Sequence, residues 1–350
     1  MMEPAVVPTR FNRSFRIGGR VVGGNEPTLI IAEAGVSHFG DMTLALELVA
    51  MAAEAKAEVF KTQFFDVEQL YAARAGDWRE RLRPRNMTLD QAQRVKEACT
   101  ARGLMFMSTA HDVSRMSWLV DLDVPAIKVG SGERNNSPFI EALARLGRPM
   151  VVSTGMYSEA DVREALDACA RGGCRDVALL HCVTSYPAPE SQVNLAAMDT
   201  LGNGFDGPVG YSDHTADFLA VFAAVARGAK VIEKHITILR DVPNAQDWKV
   251  SAGPENFAKF VADIRRIESM IGDGVKGPAP CELGASSWAL KSMVAARDLP
   301  AGHRLSASDL VAKRPGDGVP PNKADTLIGG VLVRAIRSDA LVLPEDVQHP

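Results

Sequence analysis

Residues 209–237 read Val-Gly-Tyr-Ser-Asp-His-Thr-Ala-Asp-Phe-Leu-Ala-Val-Phe-Ala-Ala-Val-Ala-Arg-Gly-Ala-Lys-Val-Ile-Glu-Lys-His-Ile-Thr. The pattern predicts a strand over Val209–Ser212, a helix over Thr215–Ala226 and a second strand over Lys230–Thr237. A strand, a helix and a strand in succession make a parallel pair, because only a long crossover can return the chain to the same end. Each strand runs into a histidine, His214 and His235. Neighbouring parallel strands lie about 5 Å apart, so the two imidazoles can meet over one point. Such a pair suits an exchangeable divalent metal; either histidine alone is as readily a locally hydrogen-bonded residue.

The same alternation runs backward through the chain. Further strands are expected at Leu29–Ala34, Val59–Thr62, Leu104–Ser108, Ala126–Val129, Met150–Ser153 and Val177–Cys182, with helices at Thr43–Ala55, Thr88–Ala101 and Ser158–Ala170. Eight strand–helix units over about 250 residues fit a (β/α)8 barrel. An open doubly wound sheet would announce itself with Gly-x-Gly-x-x-Gly after the first strand, and that turn is missing. Phe15-Arg-Ile-Gly-Gly-Arg-Val-Val-Gly reads as a hairpin turning at Gly18-Gly19 that could plug the N-terminal mouth. We expect a barrel domain over residues 1–275, a Gly/Pro-rich linker over 276–288, and a small domain of mixed β character over 289–350.

Bulk properties exclude several functions. The chain has 350 residues, 46% hydrophobic and 23% charged, with a formal net charge of −4. These values fit a globular protein and give no reason to expect nucleic acid. Its five cysteines show no Cys-x-x-Cys pairing, which favours reduced thiols and a cytoplasmic location. No apolar run reaches membrane-spanning length, and the first fifteen residues lack a signal-peptide core.

In a (β/α)8 barrel the active site lies at the C-terminal ends of the strands. Polar residues gather at those ends: Glu33, Lys61, Gln63, Ser108, Thr109, Lys128, Ser131, Ser153, Thr154, His181, Tyr186, Ser212, His214, Glu233, Lys234 and His235. Lys61 sits inside Val-Phe-Lys-Thr-Gln-Phe-Phe, where a lysine needs a partner or a job. Lys-Val-Gly-Ser-Gly (128–132) and Ser-Thr-Gly (153–155) can offer amides and hydroxyls to phosphate oxygens, or simply turn the chain. Glu33 suits general acid/base work or a grip on a sugar hydroxyl. Asp213 suits a role behind the metal or a cap on the next helix. With two protein ligands, the metal would be Mn²⁺ or Mg²⁺ acting as a Lewis acid on a carbonyl oxygen.

Read together and in order, Ile-Ala-Glu-Ala-Gly-Val-Ser-His, Lys-Thr-Gln-Phe-Phe, Lys-Val-Gly-Ser-Gly-Glu, Ser-Thr-Gly-Met, Leu-Leu-His-Cys-Val-Thr-Ser-Tyr-Pro, Gly-Tyr-Ser-Asp-His-Thr and Val-Ile-Glu-Lys-His resemble the sialic acid synthase family. The tail, from Lys-Ser-Met-Val-Ala-Ala-Arg-Asp-Leu-Pro-Ala-Gly to Lys-Arg-Pro-Gly-Asp-Gly, is similar to that family's antifreeze-like domain. The resemblance implies condensation of phosphoenolpyruvate with an N-acetylated mannosamine-type sugar to a nine-carbon 2-keto acid, with C–O cleavage releasing phosphate. It implies His214 and His235 as metal ligands. Lys61, Thr109, Lys128, Ser131, Ser153 and Ser212 would hold phosphoenolpyruvate, and Glu33, Gln63, Tyr186 and Asp247 the sugar. Arg314 would reach the partner's site in a domain-swapped homodimer. Departures from the family pattern gather on the sugar side: Ser37, Ala110-His111, Thr184, Asn-Ala-Gln-Asp (244–247) and Ser251-Ala-Gly-Pro. Diacetamido-trideoxy hexoses of the legionaminic or pseudaminic type therefore compete as substrates. A pyruvate-using metal aldolase and a non-catalytic polysaccharide-assembly protein are the alternatives from other classes.

Overall fold

Inward and outward side chains alternate along each barrel strand, and that alternation positions the site. The computed structural model describes residues 11–349. Its barrel strands are β3 (Leu29–Gly35), β4 (Val59–Phe64), β5 (Met105–Ala110), β6 (Ile127–Val129), β7 (Met150–Ser153), β8 (Val177–Cys182), β9 (Val209–Asp213) and β10 (Val231–His235), after a hairpin of β1 (Ser14–Ile17) and β2 (Arg20–Gly23). All eight barrel strands run parallel, and β10 closes the ring by pairing with β9 on one side and β3 on the other. In the closing ladder His235 lies opposite Glu33, and across the next ladder Glu33 lies opposite Lys61.

Leu29, Ile31, Val59, Met107, Ala126, Val151, Ala178, Leu180 and Val231 point inward and form one buried cluster with Phe15, Ile17 and Val22 of the hairpin. Their neighbours one residue on, such as Ile30, Phe60, Phe106, Ile127 and Val152, pack outward under the helices. Period-two alternation thus fills the lower barrel with hydrocarbon from both strand and hairpin. The expected plug is present: β1 and β2 pair antiparallel from Ile17↔Arg20 to Ser14↔Gly23. Gly18, at φ +55°, permits the turn, and a Cβ there would stand 2.8 Å from Met105 Sδ. One or two residues higher, the inward positions change to Glu33, Lys61, Thr109, Lys128, Ser153, Ser212, Glu233 and His235, all buried.

The helices between strands follow their caps. Asp41 accepts from the amides of Thr43 and Leu44 to start Met42–Glu54, while Thr88 with Gln91 and Ser158 with Asp161 form capping boxes on Leu89–Ala101 and Glu159–Arg171. One helix departs from expectation: after β9 it begins at Leu219, not Thr215. Asp213 takes both the amide and the hydroxyl of Thr215, and Lys234 Nζ donates to the carbonyls of Thr215 (2.8 Å) and Asp217 (3.2 Å). Those bonds hold residues 214–217 in a loop. Asp213 is therefore the ion-pair partner of Lys234 instead of a cap on the helix.

The chain divides into two compact units, Met1–Gly272 and Asp273–Pro350. The second pairs β11 (Ser292–Ala295) with β12 (Leu310–Lys313), and β13 (Val331–Leu332) with β14 (Val347–Gln348), both antiparallel. Its own core gathers Met293, Ala295, Leu299, Leu305, Leu310, Leu327, Leu332, Ile336 and Val342. Among the described residues, no helix is long and apolar enough to cross a membrane.

Candidate active site

A cavity of about 350 Å³ opens among the strand C-termini. Glu33, Lys61, Gln63, Thr109, Lys128, Ser131, Ser153, Tyr186, Ser212, His214, His235 and Asp247 all line it. Twelve positions picked from sequence for the barrel thus come together around one space. Arg314 lies in the second unit, where its guanidinium sits 6.0 Å from the Trp288 ring centre.

The floor is a charge network. Lys61 Nζ stands 2.7 Å from Glu33 Oε2 and 3.7 Å from Glu233 Oε2, and donates to Thr109 Oγ1 at 3.3 Å. Lys128 Nζ donates to Ser153 Oγ at 2.7 Å and to the Val129 carbonyl at 3.0 Å, with Glu233 Oε1 3.6 Å away. Ser212 Oγ donates to the same Glu233 oxygen at 3.1 Å. Burial alone would drive both lysines toward neutrality. Lys61 has two carboxylates at hand, and its pKa ends raised. Lys128 is pushed down by burial, and Lys61 offsets part of the pull of Glu233, so its pKa falls.

The two carboxylates are driven apart. Burial lifts Glu33 to about 7, against the pull of Lys61 and helped by Glu233. Burial also pushes Glu233 up, but Lys128 and Lys61 together overcome it and hold it near 2. Two ammonium groups therefore face one firm carboxylate and one that is half neutral near pH 7. The surplus positive charge, beside four hydroxyls, suits a small anion. Glu33, with a pKa near neutrality, suits proton transfer.

The two histidines stand above this floor with ring centres 5.4 Å apart. His214 Nδ1 lies 2.8 Å from the Val183 carbonyl, which can only accept, so that nitrogen carries the proton and Nε2 keeps its lone pair. Burial, then the neighbouring His235, lowers His214 to about 4. Burial dominates at His235 too, which falls to about 3, and its Nδ1 is buried without a partner. Two neutral imidazoles with free lone pairs fit a divalent cation that keeps most of its positions for other ligands. Among the described residues, no group of three or more His, Cys, Asp or Glu is arranged as a closed metal site. The Tyr186 ring packs 4.0 Å from His214 and 5.9 Å from His235, fixing both rings.

Asp247 and Gln63 form the wall beside Glu33. Gln63 Nε2 donates to Glu33 Oε1 at 2.8 Å. A Cβ on Gly35 would stand 3.3 Å from each of those atoms and 3.6 Å from Asp247 Oδ2, so this glycine lets three polar groups crowd one point. Burial raises Asp247. The amides expected to cradle an anion at Ser-Thr-Gly are engaged elsewhere: Thr154 N–H donates to Leu180 O at 2.9 Å, and Gly155 N–H to Ser131 Oγ at 2.9 Å. That leaves side-chain ammonium and hydroxyl groups as the donors facing the cavity floor.

Several lining residues escaped the sequence reading as site residues. Glu233, noted only as a strand-end polar residue, is central to the charge network; its spacing of two from His235 was the available signal, since both must face inward. His111 lines the cavity, and burial with the charges of Lys61 and Lys128 lowers it to about 4. Tyr71, Trp78, Arg81 and Arg85 come from the segment after β4, for which no element was predicted.

Fold and polar mouth define a (β/α)8-barrel enzyme with its chemistry at the strand C-termini. The NeuB family model matches residues 48–276 and the SAF domain model residues 291–348. The chain belongs to the NeuB family, the sialic acid synthases its motifs resemble, and carries the small C-terminal domain expected of it. It is 35% identical to N,N'-diacetyllegionaminic acid synthase of Legionella pneumophila, over 93% of this chain and 96% of that one. It is 32% identical to the human N-acetylneuraminate-9-phosphate synthase, over 95% and 96%. The crystal structure of N-acetylneuraminic acid synthetase from Leptospira borgpetersenii superposes with a TM-score of 0.74 at 33% identity, covering 79% of this chain and 96% of that one.

Proposed function

We propose that the protein condenses phosphoenolpyruvate with the aldehyde of an open-chain N-acylated amino sugar, giving a 2-keto sugar acid and inorganic phosphate. One observation carries this reading: two buried lysines and a two-histidine pair share one cavity, an anion end beside a cation-ready end. Lys61 and Lys128, with Thr109, Ser131, Ser153 and Ser212, hold the carboxylate and phosphate of phosphoenolpyruvate. Gln63, Tyr186 and Asp247 orient the sugar so that its aldehyde carbon faces C3 of phosphoenolpyruvate. A Mn²⁺ or Mg²⁺ ion held by His214 and His235 would supply Lewis acidity at the aldehyde oxygen.

Carbon–carbon bond formation moves electrons from the enol double bond onto the aldehyde carbon, and the former aldehyde oxygen gains a proton. Water adds at C2, and the bond between C2 and the bridging oxygen breaks, releasing phosphate. Glu33, poised near neutrality, exchanges the protons these steps require. A homodimer, with Arg314 supplied by the second copy, belongs to the same proposal.

The test is a panel of acetamido sugars with phosphoenolpyruvate and Mn²⁺, following phosphate and product mass. Phosphate release that requires both substrates, with a product of their combined carbon skeleton, is the expected result. Product formed from pyruvate in place of phosphoenolpyruvate would make the protein an aldolase.

A further inference from the structure

His111 is the residue after β5, and it stands in the partition between two cavities. On one side lies the candidate active site. On the other lies a second cavity of about 500 Å³, lined by Gln69, Asp112, Glu133, Asn136 and Phe139. The backbone N–H of His111 donates to the Phe64 carbonyl at 2.9 Å, which continues the β4–β5 ladder and fixes the residue. Its ring rests against the turn after β6: a Cβ on Gly130 would stand 3.6 Å from His111 Cε1. Among the described residues the imidazole has no hydrogen-bond partner, and only burial and neighbouring charges act on it. A polar ring placed this deep ordinarily finds a partner in the protein, in water or in a ligand.

Charged groups face the ring from each element around it. Lys61 on β4 and Lys128 on β6 act on it from the floor of the first cavity, and Asp112 follows it in the chain. Glu133, from the turn after β6, lines the second cavity. Both carboxyl groups are engaged elsewhere: Asp112 accepts from the Asp66 amide at 2.7 Å and from the Ser114 hydroxyl, and Glu133 accepts from Asn136 at 2.7 Å. Burial and the two ammonium groups together outweigh Asp112 and hold the ring neutral, at about 4. Glu233 already answers part of the charge on both lysines. An anion carrying a carboxylate and a phosphate brings more negative charge than the lysines leave free. With such an anion beside them, the sign of the field at His111 reverses, and the imidazolium becomes the favoured form.

We infer that His111 is a further binding residue of the anion end, donating to the phosphate of phosphoenolpyruvate and taking up a proton as that phosphate settles beside Lys61 and Lys128. The identity of the anion rests on the synthase reading above. The departure from the family pattern at Ala110-His111 thereby acts on the phosphoenolpyruvate side of the site, away from the sugar. Anion binding strengthens as pH falls into the range where the bound ring is charged, and weakens as pH rises through the pKa of the bound ring.

The experiment titrates the full-length, Mg²⁺-loaded protein calorimetrically with phosphoenolpyruvate and, separately, with sulfate, whose own charge is constant over the range used. Two buffers of different ionisation enthalpy, at about pH 5.5, give the protons taken up per anion bound. We expect the wild type to take up about half a proton or more beyond His111→Phe, which keeps a ring and loses both nitrogens. Affinity for phosphoenolpyruvate should fall roughly tenfold in that variant, the scale of a charge-assisted hydrogen bond. His111→Gln, which can donate but cannot take a proton, should keep part of the affinity and none of the extra uptake. In turnover with an N-acyl amino sugar, both changes should raise the KM of phosphoenolpyruvate and leave that of the sugar. The His111 Cε1–H resonance of the wild type, followed against pH with and without sulfate, reads the same linkage if a variant fails to fold. Its midpoint should rise by about one pH unit or more with the anion. Equal proton uptake in the wild type and both variants, a midpoint indifferent to the anion, or a loss confined to the KM of the sugar would overturn the inference. If phosphoenolpyruvate neither binds nor yields product while sulfate still draws a proton onto His111, the synthase reading fails and the anion-linked histidine stands.

Discussion

Lys234 and Asp213 form an ion pair with no solvent exposure on either side chain. Each immediately precedes a histidine of the cavity, in register across the β9–β10 ladder. The pair lies on the outward side of the strands, and its remaining bonds tie down the loop that carries His214. Inward and outward halves of one ladder thus divide the labour, the histidines facing the cavity and the ion pair fixing the strand ends that hold them.

Removing one partner leaves an uncompensated buried charge. Asp213→Asn and Lys234→Met should each cost about 3–5 kcal/mol, whereas a double replacement by apolar residues should recover much of the loss. Urea unfolding of the two single variants and the double variant, read as a thermodynamic cycle, measures the coupling. Additive losses would show that the two residues act independently.

His214→Ala and His235→Ala should abolish metal-dependent turnover while leaving the fold intact, because each ring is a lone-pair donor and neither fills the core. Mn²⁺ binding followed by electron paramagnetic resonance should weaken by roughly tenfold or more in either variant. Undiminished Mn²⁺ binding in both would remove the histidines from the metal site. Chelation of the wild type should stop turnover, and added Mn²⁺ should restore it.

Glu33 gives the site a pH signature. Its pKa is 4.5 in the unfolded chain and about 7 in the fold, where burial opposes ionisation. Between those values the native state holds a proton that the unfolded chain has lost. The stability this contributes is complete below pH 4.5 and disappears as pH rises through 7. Relative to Glu33→Gln, wild type should lose up to about 3 kcal/mol over that window. Denaturant titrations at about pH 5 and about pH 8, which span most of that window, measure it. Parallel stability curves for the two proteins would contradict a raised Glu33. Glu233 behaves oppositely: its lowered pKa contributes stability above pH 4.5 that is lost as pH falls toward 2.

The hairpin plug should matter to the barrel as core, not as decoration. Ile17 is fully buried among the inward strand residues, so Ile17→Ala should cost about 2–5 kcal/mol. An Arg16→Ala change, on the exposed side of the same strand, should fall within about 0.5 kcal/mol. Urea midpoints that move equally for both would show that the hairpin contributes nothing specific.

Sequence alone reached the barrel because alternating strand and helix signals repeat eight times, and Lys61 and Glu33 stood out as ionisable residues inside apolar runs. Strand ends fell within one or two residues, as with β4, which continues to Phe64 beyond the expected Thr62. Two things were hidden. The loop over 214–217 takes its shape from Lys234, distant in sequence, so no local signal competes with the helical pattern there. The segment over 67–86 folds into helices too short to carry a periodic stripe, Val67–Leu70 and Gly76–Leu82. Its arginines and aromatic residues acquire meaning only once the barrel brings them over the cavity.

Among the described residues, the plug of Phe15, Ile17 and Val22 fills the lower barrel and makes it a blind well entered from the strand C-termini. Traffic through a blind well is ordered by depth. Whatever Lys61 and Lys128 hold must arrive before the larger molecule that rests nearer the lip. In the proposed reaction, phosphate freed at the bottom would wait for that molecule to leave. Kinetic order is thereby written into the hairpin, far from any reacting atom.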